Sequence, residues 1–269
     1  MLSIVVLASY LAGALWLGSS VYRAQDHAAR GRRIAGIAIG VFAAILHAML
    51  LWQDFSAKPS LSLTIAEAAS LIGWPIGVIA LGLSWTRPRF AAIGSVLMLL
   101  AGIVAVGTAQ GPDGNELQQD NWEIAAHIVL SVIAYALLTL AVALAVALGL
   151  LDRRLRTRKP LGWMKTLPSM EALEAGTFQA LVAGFAILTL ALFSGFIFVE
   201  DLFGQHLIHK TVLSCLAWVV FAVLLFGRWR FGWRGRTAAS WTVSGFALLA
   251  LAYFGSKIVL EAILGRQWG

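Results

Sequence analysis

Eight long apolar runs take up nearly all of this sequence, at about residues 2–21, 34–52, 63–85, 91–108, 122–151, 172–199, 207–227 and 237–264. A helix needs roughly 20 consecutive apolar residues to cross the ~30 Å hydrocarbon layer of a bilayer, and each run is of that order. Lipid offers no partner for a free amide or carbonyl, so each run must satisfy its own backbone as a helix. The expected fold is therefore all-α: a polytopic membrane protein, a bundle of eight transmembrane helices in one membrane domain covering residues 1–269. Composition supports this. The chain is 60% hydrophobic and 12% charged, against about 25% charged residues in an ordinary soluble domain. The first run has no basic flank before it and no small-residue cleavage site, so it reads as a retained span rather than a signal peptide.

The connections between runs alternate in charge. Arg23–Arg33, Thr86–Phe90, Asp152–Ser169 and Arg228–Arg236 hold four, two, six and four basic residues, which is sixteen of the twenty in the chain. Residues 53–62 hold one, and residues 109–121 and 200–206 hold none. Basic loops stay cytoplasmic, so the other loops and both termini are expected outside. The same distribution interprets the net charge of +7. The bases sit beside membrane spans, so their expected partners are anionic lipid headgroups and not nucleic acid. The implied location is a bacterial inner membrane, crossed several times.

Little in the chain suggests covalent chemistry. Cys215 is the single cysteine, which excludes a disulfide framework, a Cys-x-x-Cys redox pair and a covalent c-type haem site within the chain. There is no phosphate-cradling glycine loop, no His-Glu-x-x-His and no Gly-x-Ser-x-Gly. The chain is not expected to be an enzyme. The stretch Gly73-Trp74-Pro75-Ile76-Gly77 reads as a kink with close helix packing, and Gly232-Trp233-Arg234-Gly235 as a tight turn with an interfacial Trp.

What remains are histidines. His47 lies about five residues inside the outer end of the second run, and His127 about five inside the outer end of the fifth. His206 and His209 open the seventh and share one helix face. At 1.5 Å rise per residue all four are expected within roughly one to two turns of the same membrane face. His27 is a loop residue. One histidine at the end of a span is more often an interfacial residue with a satisfied hydrogen bond. Four converging from three helices point instead to function, since polar groups inside a membrane are costly. Imidazole suits zinc, copper and iron alike. Haem needs only two axial groups and a large apolar slot, which eleven Trp and fourteen Phe can line. Lys210 and Lys257 are candidate partners for haem propionates, or snorkelling residues, Lys257 with Glu261 at i+4. Glu67 could orient a ligating imidazole, snorkel, or belong to a proton path.

Four segments carry a family resemblance: Trp122–Ala136 (WEIAAHIVLSVIAYA), in which Tyr135 follows His127 by eight residues; His206–Phe221 (HLIHKTVLSCLAWVVF); Gly232–Ala239 (GWRGRTAA); and Ala252–Leu260 (AYFGSKIVL). Together they resemble the cytochrome c assembly family of haem-handling membrane proteins, to which CcsA and CcmC belong, and within it the shorter eight-span YpjD/HemX-like branch. The resemblance covers residues 120–262 well and the first four spans in layout. It implies a helical bundle holding b-type haem, with His127 at the place of an outer axial ligand. It also implies a second haem within the membrane, for which His47 fits the layout loosely. The sequence departs from the haem-delivering members in two places. Residues 200–209 read EDLFGQHLIH where those members have a Trp-rich signature, and the chain ends ILGRQWG without their late histidine. His206 and His209 stand where the signature would be.

The leading expectation is a haem-binding inner-membrane protein of cytochrome c assembly or haem trafficking, with haem b, membrane lipids and other cytochrome assembly or haem-biosynthesis proteins as partners. Three other readings stand beside it: a scaffold or regulator of haem synthesis acting through the cytoplasmic loops, a proton- or metal-coupled transporter using His47, Glu67 and His127, and a quinone-linked b-type oxidoreductase. Absorbance of the purified protein separates the haem-binding readings from the rest.

Overall fold

Each apolar run becomes a helix in the computed structural model, which describes residues 1–22, 28–56, 61–62, 64–106, 116–117, 122–158, 162–198 and 208–255. The helices are α1 (Leu2–Tyr22), α2 (Ala29–Ser56), α3 (Ile65–Thr86), α4 (Ala91–Ala105), α5 (Trp122–Arg156), α6 (Met170–Phe198), α7 (Ile208–Phe231) and α8 (Gly235–Ala250), the last continued by a π-helical turn over Leu251–Gly255. All eight, α4 together with the 3-10 turn at Pro88–Phe90 and α8 together with the π-helical turn, are long and apolar enough to cross a membrane. Beyond helices, the described residues contain only short 3-10 turns and a two-residue antiparallel pairing of Leu61–Ser62 with Glu116–Leu117.

Local chemistry sets several helix ends. Thr64 and Glu67 form a reciprocal cap at the start of α3: the Thr64 hydroxyl accepts from the Glu67 N–H at 3.2 Å, and the Glu67 carboxylate accepts from the Thr64 N–H at 2.9 Å. Pro88 opens a 3-10 turn that leads into α4. At the end of α7, Gly232 adopts φ +66°. Its N–H donates to the Arg228 carbonyl and that of Trp233 to the Gly227 carbonyl, both at 3.2 Å. This is the left-handed glycine cap that satisfies terminal carbonyls, and Gly235, at φ +55°, starts α8 directly afterwards.

The chain divides into two compact units. Residues Met1–Leu117 and Arg158–Ser169 make the first, and Gln118–Thr157 and Met170–Gly269 the second. In the first unit α1 packs on α2 and α4, and α3 packs on α4 and α2. Small residues let these backbones approach, because packing rather than water exclusion drives helix association in lipid. A Cβ on Gly36 would stand 2.7 Å from the Leu17 backbone nitrogen. Tyr10, Leu17, Leu97 and Met98 fill the centre.

In the second unit α5 packs most extensively on α6 and also on α8, and α7 packs on α8 and α6. Leu138, Leu148, Leu181, Phe221 and Leu249 are its buried core. At its basic end Arg228 joins three elements. Its guanidinium donates to Glu174 of α6 at 2.6 Å and to the Trp233 carbonyl at 3.2 Å, and lies 4.6 Å from the Phe178 ring centre. The Trp233 indole lies on Gly227, where any side chain would collide with it.

Candidate functional site

His127 stands five residues after Trp122, the first residue of α5, or about 7.5 Å along the helix axis. Its ring is turned towards α6. Nδ1 is 2.9 Å from the Ala191 carbonyl oxygen and 3.0 Å from the Ser194 hydroxyl, and that hydroxyl in turn donates to the Ala191 carbonyl at 2.8 Å. The carbonyl can only accept, so Nδ1 must carry the proton. In a neutral imidazole the other nitrogen then keeps its lone pair. Nε2 makes no hydrogen bond among the described residues. A ring tied through Nδ1–H to a backbone carbonyl, with Nε2 left as the donor atom, is how protein-bound metals are ordinarily ligated.

His47 is placed differently. It is 0% exposed within the first unit and lies nine residues before Ser56, the end of α2, so it is about 13 Å from that end. Nε2 is 2.9 Å from the Ser70 hydroxyl of α3, and Nδ1 is 3.5 Å from the Tyr10 hydroxyl of α1. The Tyr10 and His47 rings meet edge to face at 5.8 Å. Gly73 and Gly77 of α3 make the room: a Cβ on Gly77 would be 2.6 Å from Tyr10 Oη, and one on Gly73 would be 3.6 Å from His47 Cε1. Both His47 nitrogens thus have protein partners and neither faces open space, so the residues here do not fit a haem iron.

His209 is the second residue of α7 and Lys210 the third. The Lys210 ammonium lies 5.8 Å from the centre of the Tyr253 ring, at the end of α8. His27, His206 and Lys257 lie outside the described residues. Glu67 is the capping residue of α3 described above. Among the described residues no three of His, Cys, Asp and Glu cluster as a metal cage.

The second unit therefore holds His127, His209 and Lys210 at one end, near the ends of α5, α7 and α8, while His47 belongs to the first unit. Sequence reasoning missed the partners that orient these rings. Ser194-Gly195 interrupts the bulky stretch Leu192-Phe193 and Phe196-Ile197-Phe198, and a hydroxyl beside a glycine in such a run was the available signal. Tyr10 and Ser70 carried no comparable signal, since isolated hydroxyls occur in most of the spans.

Residues 41–264 match the family model described as cytochrome c assembly protein. The chain belongs to that family. Among its relatives, the inner membrane protein YpjD of Escherichia coli strain K12 is 39% identical over 137 residues, 51% of this chain and 52% of that protein. A protein of Azospirillum brasilense described only by its 28.8 kDa mass and its position beside a nifR3-like region is 38% identical over 141 residues, 52% of each chain. The cytochrome c biogenesis protein CcsA of Synechococcus strain CC9902 is 23% identical over 217 residues, 69% of this chain and 70% of that protein. The chain spans about half the length of the first two in these matches. No solved structure matches it. Within the cytochrome c assembly family, the second unit described above contains all four segments that carried the resemblance.

Proposed function

We propose that this chain is a haem-binding protein of cytochrome c assembly or haem trafficking in the bacterial inner membrane, with both termini outside, and that it is not an enzyme. The observation that carries the reading is the state of His127: Nδ1–H held by Ala191 and Ser194, and Nε2 left with its lone pair. Family membership, the CcsA relatives and the inner-membrane relative support it. His127 Nε2 would hold the haem iron, with His206 or His209 as the second imidazole, and Lys210 and Lys257 would meet the propionates. Haem b would supply the iron centre. The chain's own residues supply one fixed imidazole, a second from the start of α7, and cations for the carboxylates.

The deciding experiment is the absorption spectrum of the protein purified from haem-replete cells. Two imidazole ligands give a low-spin b-type spectrum, which His127→Ala abolishes or turns high-spin while the protein remains folded. A wild type that purifies colourless and takes up no added haem refutes haem binding and leaves the scaffold and transporter readings. A His127→Ala variant with an unchanged spectrum refutes the ligand and keeps the pocket.

A further inference from the structure

We infer that Ser194 and Gly195 are positioning residues for His127, setting which nitrogen is free and where it points. The inference rests on His127 being the axial ligand, and names the residues that make it one. Three observations support it, all within the α5–α6 pair.

Hydrogen bonding comes first. The imidazole Nδ1–H faces two acceptors, the Ala191 carbonyl at 2.9 Å and Ser194 Oγ at 3.0 Å, while the Ser194 hydroxyl donates to the same carbonyl at 2.8 Å. Each close pair in this triangle has a proton between its two atoms only if Nδ1 is protonated. With the opposite tautomer the Nδ1 lone pair would face the carbonyl lone pairs, and the hydroxyl could serve only one of them. Ser194 also spans the gap between the ring and the α6 backbone, so it resists rotation of the ring.

Steric fit comes second. Gly195 lies under the ring: a Cβ there would be 3.1 Å from Cε1 and 3.4 Å from Nδ1 of His127. Contacts that short force the neighbour to move by a few tenths of an ångström, and the ring has no slack because its two hydrogen bonds are already at normal length. A side chain at 195 would therefore displace the imidazole by a few tenths of an ångström from its seat on α6.

Helix packing comes third. α6 approaches α5 closely along this face. A Cβ on Gly184, three helical turns before Gly195, would be 2.9 Å from the Leu138 side chain and 3.3 Å from the Leu138 backbone nitrogen. The α5–α6 contact is the most extensive helix contact among the described residues. The cradle thus stands on a rigid pair of helices, which is what a ligand held in one orientation requires.

The test uses the full chain in detergent micelles, with the imidazole nitrogens labelled with nitrogen-15. Two readouts are taken: the tautomer of His127 in the haem-free protein by nitrogen NMR, and a titration with haemin followed by absorbance. In the wild type Nε2 gives the signal of an unprotonated nitrogen. Ser194→Ala is expected to yield a mixture of tautomers and about ten-fold weaker haemin binding, and Gly195→Ala a loss approaching a hundred-fold, the range found when a partner of a metal-ligating His is removed. Ser194→Thr, which keeps the hydroxyl, restores both readouts. If Ser194→Ala and Gly195→Ala keep the wild-type tautomer and affinity while His127→Ala loses haem, the inference is overturned and the function stands. If the wild type binds no haemin, the function fails, and the tautomer in the haem-free variants still decides the inference. Ser194→Ala only deletes an oxygen, so the test survives even where Gly195→Ala does not fold.

Discussion

Replacing His47 by Ala is expected to destabilise the first unit without reducing haem binding. The magnitude follows from its partners. Ser70 can return its hydroxyl to a carbonyl one turn back on α3, so its loss is small. Tyr10 loses only a contact of 3.5 Å, and the space left by the imidazole admits a water to its hydroxyl. Most of the cost is the lost packing of a fully buried ring, about 0.5–3 kcal/mol. The informative quantity is the coupling measured by a double-mutant cycle. The His47–Ser70 bond, at 2.9 Å, should couple by about 0.6–1.7 kcal/mol, the range for interhelical hydrogen bonds in membranes. The His47–Tyr10 contact, at 3.5 Å, is at the limit of a hydrogen bond, and its edge-to-face packing survives Tyr10→Phe, so it should couple by less, under about 0.5 kcal/mol. Unfolding in mixed micelles by added denaturing detergent, followed by Trp fluorescence, gives the stabilities. A coupling near zero for Ser70, or a larger one for Tyr10, refutes the geometry. Haem content that falls by half in His47→Ala refutes the view that its nitrogens are fully engaged.

Tyr135→Phe removes the 2.6 Å bond from the Tyr135 hydroxyl to the Leu249 carbonyl just before the π-helical turn, while both ring contacts, to Phe246 and Tyr253 at 6.4 Å, remain. It should cost about 1–2 kcal/mol and speed amide exchange in the last turn of α8; unchanged exchange there would show that the π turn does not depend on Tyr135. The orientation of the whole bundle is tested by fusing a compartment-specific reporter after Gly269: activity is expected only outside the cytoplasm, and cytoplasmic activity would invert the proposed topology.

The helices were legible because their cause is local. Length and apolarity alone dictate α1 to α8, and the basic residues mark where the runs break. The ends were less legible. α2 runs from Ala29 to Ser56 and not from 34 to 52, because Arg30, Arg32 and Arg33 are good helix formers that hydropathy alone assigns to a loop. At its other end α2 continues through residues 53–56, which places His47 nine residues from that end rather than five. The ring partners were not legible for a different reason. Which carbonyl or hydroxyl meets an imidazole depends on the rotation of each helix about its axis, and that is fixed by interlocking small residues such as Gly73, Gly77, Gly184 and Gly195. The same residue type, a membrane histidine near a helix end, becomes a sealed core group at 47 and a half-open donor at 127 through those rotations.

The length of α5 acts as a depth gauge. Its 35 residues span about 52 Å, well beyond the hydrocarbon thickness of about 30 Å. One end carries Trp122, 70% exposed, a residue type that settles at the headgroup level. The other carries Arg153, Arg154 and Arg156 in its last turn. A helix moored at both surfaces and longer than the layer between them answers a change in bilayer thickness by tilting rather than by sliding. His127 sits only five residues from the Trp122 mooring, near the pivot of that tilt. Its imidazole therefore stays at nearly constant depth below the membrane surface while the far end of the helix swings.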